Sequence, residues 1–161
     1  MLVPLFEEAG EVRVVLTRRA ANLHRHRSEV AFPGGMMEPG EDAREAALRE
    51  AHEEIGLDPL AVEIIAELPA ASTSSSASWI APFVGVLAGR PLLEPNESEV
   101  ERVIDVALRH LASDGVYTEE VWCLPGEGGE HHMDLFELEE ETVWGATARI
   151  LANLLSVISG K

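Results

Sequence analysis

The stretch 35–57, GMMEPGEDAREAALREAHEEIGL, constrains this chain more than any other. Pro39-Gly40 breaks any earlier helix, and Gly56 sits where a helix end favours positive φ. Between them the spacing predicts one helix over 42–55. Ala47, Leu48, Ala51 and Ile55 recur as an apolar stripe suited to docking on a sheet. Glu41 and Asp42 fall in the first turn, where the helix dipole favours negative charge. Each helical residue turns about 100°, so Glu50, Glu53 and Glu54 share a face. Three carboxylates on about one turn repel each other. A solvated surface tolerates that arrangement, whereas a hard divalent cation would use it.

The residues around the glutamates narrow the choice. Gly35, Glu41, Arg49, Glu50, Ala51, Glu53, Glu54, Gly56 and Leu57 stand at fixed spacings. In that spacing the stretch resembles the Nudix box at every defined position, with Ala51 a small member of the aliphatic class. The resemblance implies Mg²⁺- or Mn²⁺-dependent hydrolysis of a pyrophosphate in a nucleoside diphosphate linked to another group. It implies Glu50 and Glu54 as primary metal ligands, and Glu53 as a third, through metal or bound water. Arg49, one turn from both Glu45 and Glu53, would hold the carboxylates by charge-assisted hydrogen bonds. Glu41 is expected to be structural. The general base is either a box glutamate or a loop carboxylate, with Glu97 and Glu99 as the loop candidates. Solvent-facing acids at a strand start are the other reading of that pair.

A second motif lies upstream. Leu16-Thr17-Arg18-Arg19-Ala20, followed by Phe32-Pro33-Gly34-Gly35, resembles the motif of coenzyme A pyrophosphatases within the Nudix superfamily. Its spacing is kept, but His24 stands for an Arg, Ser28 for a Gly and Val15 for a Leu. Asn96-Glu97-Ser98-Glu99-Val100 and 144–149 also resemble that subfamily. A coenzyme A-like substrate, cleaved to 4′-phosphopantetheine and adenosine 3′,5′-bisphosphate, is what this resemblance implies. Arg18, Arg19, His24, Arg25 and Arg27 form a basic cluster in an acidic chain. They are candidates for binding the phosphates, as is the Gly34-Gly35 backbone. A solvated loop and a simple tight turn are the plainer readings of those two features.

Composition sets the outer limits. The 161 residues suffice for one domain with a real core, and neither a repeat nor a linker divides them. A net charge of −17 argues against nucleic-acid and acidic-membrane partners. A small nucleotide remains compatible, because a metal inverts the local sign. No apolar run approaches the roughly 18 residues of a membrane span. The first residues lack a signal-peptide pattern, and Cys123 is alone, so a cytoplasmic setting is expected. A homodimer is left open.

The remaining pattern predicts a hairpin from 2–8 and 12–18, with Pro4 at an edge or strand start. Short strands follow at 30–32 and 60–68. A serine-rich loop spans 72–78, and an apolar strand over 79–87 is interrupted by Pro82. Val100, Val103 and Val106 break strict alternation, which predicts a bend. A helical turn over 107–112, a hairpin around 125–129 and a long amphipathic helix over 142–158 complete the chain. Trp79, Trp122 and Trp144 are read as core residues. His131 and His132, adjacent on a strand, point to opposite faces. Strands, a helix, more strands and a terminal helix describe an α/β protein, a Nudix-type α/β/α sandwich with a mixed sheet between helices.

Overall fold

The computed structural model describes residues 1–23, 26–72, 79–122 and 130–160. The expected sandwich is what it contains. Strand β1 (Leu2–Glu8) turns through Ala9 and Gly10 into β2 (Glu11–Arg19), and a loop leads to the short β3 (Val30–Ala31). Helix α1 (Ala43–Ile55) follows, then β4 (Glu63–Glu67), β5 (Ala71–Ser72), β6 (Trp79–Ile80) and β7 (Phe83–Leu87). Strand β8 (Val100–Ala107) runs into the one-turn α2 (Leu108–Leu111). Strands β9 (Tyr117–Trp122), β10 (His131–Glu137) and β11 (Thr142–Trp144) precede α3 (Gly145–Ser159).

The main sheet is mixed. Strand β1 pairs parallel with β7 and antiparallel with β2, while β4 closes one side beyond β7. Strand β2 carries β8 along its other edge and β3 beyond the end of β1. Successive strand residues therefore enter different layers. Leu2, Phe6 and Val15 join Ala47, Ala51 and Ile55 of α1 in one apolar cluster. Val3, Leu5, Val14 and Leu16 join Ala148, Ile150, Leu151 and Leu154 of α3 in the other. Two half-faced helices and a two-faced sheet thus bury their apolar surfaces together.

Several local expectations are corrected. Pro4 lies inside the sheet, at no edge. It is accommodated because the β2 ladder begins only at Leu5, so no partner there requires its missing N–H. Pro82 breaks the expected 79–87 strand into β6 and β7. The bend in β8 is real: the register with β2 shifts between Arg18 and Arg19, where Arg102 and Val100 are successive partners. The extra residue, Glu101, lets Val100 and Val103 both pack towards α1 while Val106 packs towards α3. The tryptophans are not core. Trp79 is 76% exposed and Trp144 39% exposed, with Trp144 stacked on Trp122 at 6.4 Å between ring centroids. The serine-rich loop over 73–78, Cys123 and the turn around 125–129 lie outside the described residues.

The second sheet, in the order β11-β10-β9, is tied to the first by charge as well as packing. Arg18 and Arg102 are cross-strand partners and would repel. The buried Glu141 carboxylate lies between them, accepting from Arg18 Nη1 at 2.5 and 2.7 Å and from Arg102 Nη2 at 2.5 Å. Burial alone would raise the Glu141 carboxyl, but the hydrogen bonds from Arg18 and Arg102 outweigh it and hold it below the usual carboxylate range. A depressed folded-state pKa contributes stability above the unfolded value of about 4.3 and loses it as pH falls through the folded value. Glu141→Gln is therefore expected to destabilise the protein by about 2 kcal/mol at pH 7. The gap from wild type should shrink below about pH 4, as denaturant unfolding at the two pH values would show.

Candidate active site at the glycine turn and helix α1

Helix α1 starts sharply because Asp42 caps it. The Asp42 carboxylate accepts from the N–H groups of Arg44 and Glu45 at 2.8 and 2.9 Å, and the Glu45 carboxylate accepts from Asp42 N–H at 2.9 Å. Glu45 is thus spent on the cap and does not meet Arg49. The helix ends at Gly56, with φ +67°. There the loop 94–96 crosses it. Glu94 N–H donates to Ile55 O and Asn96 N–H donates to Glu54 O, each at 2.9 Å. The segment bearing Glu97 and Glu99 is thereby fastened to the helix bearing the glutamates.

The glutamates lie at different depths. Glu54 is only 2% exposed. One of its oxygens accepts from Gly34 N–H at 2.9 Å and the other from Arg19 Nη1 at 3.3 Å. Burial pushes its carboxyl up to about 7, against the Gly34 and Arg19 contacts and with help from the negative charges of Glu50 and Glu99. Glu50 lies against the turn itself: a Cβ on Gly35 would stand 2.3 Å from its carboxylate carbon. Glu53 points outward, with its side chain 52% exposed.

Arg49 organises this region. Its Nε and Nη2 grip the Glu41 carboxylate at 3.1 and 2.8 Å, and Nη2 also donates to Met36 O at 3.0 Å. Its Nη1 reaches Glu50 and Glu53, each at 3.0 Å. The hydrogen bond from Arg49 is the largest influence holding the Glu41 carboxyl below the usual range. The Glu41 carboxylate is thus engaged by Arg49.

Of the residues singled out in the sequence, the fold gathers Arg19, Gly34, Gly35, Arg49, Glu50, Glu53 and Glu54. Glu99 also stands close enough to act on Glu54, with its carboxylate accepting from Asn96 Nδ2 at 3.3 Å. Glu97 is exposed on the turn beside it. Arg18 is not brought in, because adjacent strand residues face opposite ways and Glu141 holds it on the α3 side. Gly34 N–H faces a carboxylate of the protein, not open space. Arg27 is exposed, and His24 and Arg25 lie outside the described residues. Ser28, where the upstream motif has glycine, adopts φ +58° and donates its N–H to Arg19 O at 3.1 Å. The substituted residue therefore keeps the left-handed conformation that glycine favours.

The donor set suits a hard divalent cation. It is all oxygen, and the buried Glu54 beside Glu50 leaves negative charge that a cation would offset. Glu50 and Glu54 are the more deeply placed carboxylates, Glu53 the exposed one. Among the described residues no three His, Cys, Asp or Glu side chains stand together as a ready-made metal set. Arg49 keeps Glu53 turned aside. Gly35→Ala should keep the fold, since only the end of a flexible side chain must move. It should weaken Mn²⁺ binding at least about tenfold by displacing the Glu50 carboxylate, in keeping with the sensitivity of metal sites to small shifts. Titration of the metal together with thermal unfolding would check both.

The sequence profile of the NUDIX domain matches residues 1–113. Nudix hydrolase 22 of Arabidopsis thaliana, a chloroplastic protein, is 36% identical over 98% of this chain and 54% of its own length. Nudix hydrolase 3 of Caenorhabditis elegans is 33% identical over 99% of this chain and 72% of its own. The chain thus spans about half of the first relative. Among solved structures, a MutT/nudix family protein from Enterococcus faecalis matches with a TM-score of 0.61. It is 18% identical over 98% of this chain and 60% of that one, a likeness of fold.

Proposed function

The chain belongs to the Nudix family, and on that premise we propose that it hydrolyses the diphosphate of a nucleoside diphosphate-linked substrate with Mg²⁺ or Mn²⁺ as cofactor. The finer assignment is coenzyme A or an acyl-coenzyme A. The observation that carries the reaction class is the buried Glu54 carboxylate beside Glu50 at the Gly34-Gly35 turn. Glu50 and Glu54 would hold the cation, with Glu53 joining directly or through water. A divalent ion there supplies charge neutralisation and Lewis acidity for a diphosphate.

The protein's own groups do the rest. Arg49 holds Glu50 and Glu53 in place through its anchors on Glu41 and Met36 O. Arg19, already at the Glu54 carboxylate, is a cation placed to meet the reacting phosphates. Glu99, on the loop fastened to the end of α1 and with its charge felt at Glu54, is the loop carboxylate suited to take a proton from the attacking water. Arg27, with His24 and Arg25, would meet the outer phosphate. The coenzyme A assignment is supported by the upstream motif and by Ser28, which holds a glycine-like φ at the motif's glycine position. His24, standing for an arginine there, favours a second reading: the same hydrolysis on another nucleotide, such as a nucleoside triphosphate, ADP-ribose or a dinucleotide.

A panel of coenzyme A, dephospho-coenzyme A, ADP-ribose and nucleoside triphosphates with Mg²⁺ or Mn²⁺ tests both levels. Faster turnover of coenzyme A than of its dephospho form is expected. Equal turnover would remove the outer-phosphate role, and no diphosphate turnover at all would sink the hydrolase reading. Glu50→Gln and Glu54→Gln should each lower kcat/KM by orders of magnitude while leaving the circular dichroism spectrum unchanged. Full activity in both would overturn the metal assignment.

A further inference from the structure

Two arginines touch the glutamates of α1, and they are held very differently. Arg49 is clamped: its guanidinium grips Glu41 with two nitrogens and also donates to Glu50, Glu53 and Met36 O. Arg19 is not. Among the described residues its guanidinium makes one contact, Nη1 to Glu54 Oε1 at 3.3 Å. Its Nε is buried and has no hydrogen-bond partner among the described residues. A buried donor without an acceptor is costly, so Arg19 has something to gain by moving. The backbone beneath it is fixed, with Arg19 N–H donating to Glu29 O and Arg19 O accepting from Ser28 N–H. Movement is therefore confined to the side chain. The contact matters because of where it falls. Gly34 N–H occupies the other oxygen, Oε2, at 2.9 Å, and Glu54 is only 2% exposed. Oε1 is the oxygen without a backbone donor, and Arg19 already sits on it. A guanidinium and a divalent cation repel when both crowd one carboxylate oxygen. One must give way, and a guanidinium with a single bond and an unsatisfied Nε is the one that can.

We propose that Arg19 and the divalent cation are alternative partners of Glu54, so that arrival of the cation hands the Arg19 guanidinium over to the phosphates of the substrate. The inference rests on the metal and diphosphate reading above and adds an order of events to it, cation before substrate. While Arg19 is spent on Glu54 it is lost to the phosphates. Once the cation takes over the charge of Glu54, the freed guanidinium meets phosphate oxygens, which can accept two parallel bonds from it. Cation and substrate then favour each other's binding through this one side chain, and the coupling is reciprocal. Arg49 cannot play this part, because its release would free Glu41 and the turn as well.

Mn²⁺ affinity, measured calorimetrically at about pH 8 and so above the usual carboxylate range, provides the first test. Arg19→Gln should bind Mn²⁺ at least about fivefold more tightly than the wild type, because a repelling charge is gone. Arg19→Met, which keeps an apolar stem in place, should do the same, whereas Arg19→Lys should stay within about twofold of the wild type. Arg44→Gln removes the same charge from an exposed site on α1, about 15 Å along the helix axis from Glu54, and should leave the affinity unchanged. Glu54→Gln should weaken it at least about tenfold. The second test is binding of α,β-methylene-ADP, a diphosphate with no bridging oxygen to cleave, with and without saturating Mg²⁺. Arg19→Gln should weaken that binding at least about tenfold with Mg²⁺ and less than about twofold without it. Mn²⁺ affinity that is unchanged or weaker in the two uncharged variants, or an equal loss of diphosphate binding with and without Mg²⁺, would overturn the inference and leave the metal site standing. No Mn²⁺ binding by the wild type would remove the metal reading and this inference together. The expected affinities without cleavage of any diphosphate would remove the hydrolase reading alone.

Discussion

The guanidinium of Arg49 is the constraint on which the site depends. One planar group with five N–H donors touches Glu41, Glu50, Glu53 and the Met36 carbonyl. These partners come from the turn and from the helix, and without a shared cation they would repel each other. The fork geometry matters as much as the charge, because a lysine ammonium cannot grip a carboxylate with two parallel bonds and still reach two others. The helix could form without Arg49, since its Asp42 cap and Gly56 stop are independent of it. The turn could not hold its place above the helix, and Glu50 would lose its fixed position.

Glu54 answers a different demand. A buried carboxylate is costly unless paired, and here its partners only partly compensate. Its neighbours Glu50 and Glu99 add to the cost. A chain selected for stability alone would place an apolar residue on this face, since α1 otherwise buries Ala46, Ala47, Ala51 and Ile55. The arrangement is explicable as a cation site built into the edge of a core, held by a backbone N–H that cannot be removed by a side-chain substitution.

Much of this was legible in the sequence because it depends on spacing. The capped helix, the apolar stripe and the glycine stop follow from local chemistry, and the two-layer core follows from alternation in the strands. The different fates of the three glutamates were less legible. At about 100° per residue, Glu53 and Glu54 are the outer members of the trio, with Glu50 between them. That spread crosses the boundary between solvent and core, and only the position of the sheet says where the boundary falls. Arg18 and Arg19 were grouped because they are neighbours, with the strand read as ending at Arg18. It runs one residue further, and the pleat then sends the two arginines to opposite layers. The tryptophans were misplaced for a related reason. Trp79 lies on a two-residue strand and Trp144 on a three-residue one, where there is too little sheet to cover a large ring.

The loop between β2 and β3 is closed at its base by paired backbone bonds, Arg19 N–H to Glu29 O and Ser28 N–H to Arg19 O, at 3.0 and 3.1 Å. A stem of this kind separates inheritance of the scaffold from inheritance of the loop. The cost of closing a loop grows only slowly with its length, so residues can be inserted, lost or exchanged above the stem with little effect on folding. Arg19, at the stem, faces the glutamates and is shared by any version of the loop. Related proteins could thus diverge in what this loop meets by rewriting about eight residues while the glutamate-bearing helix and glycine turn are copied unchanged.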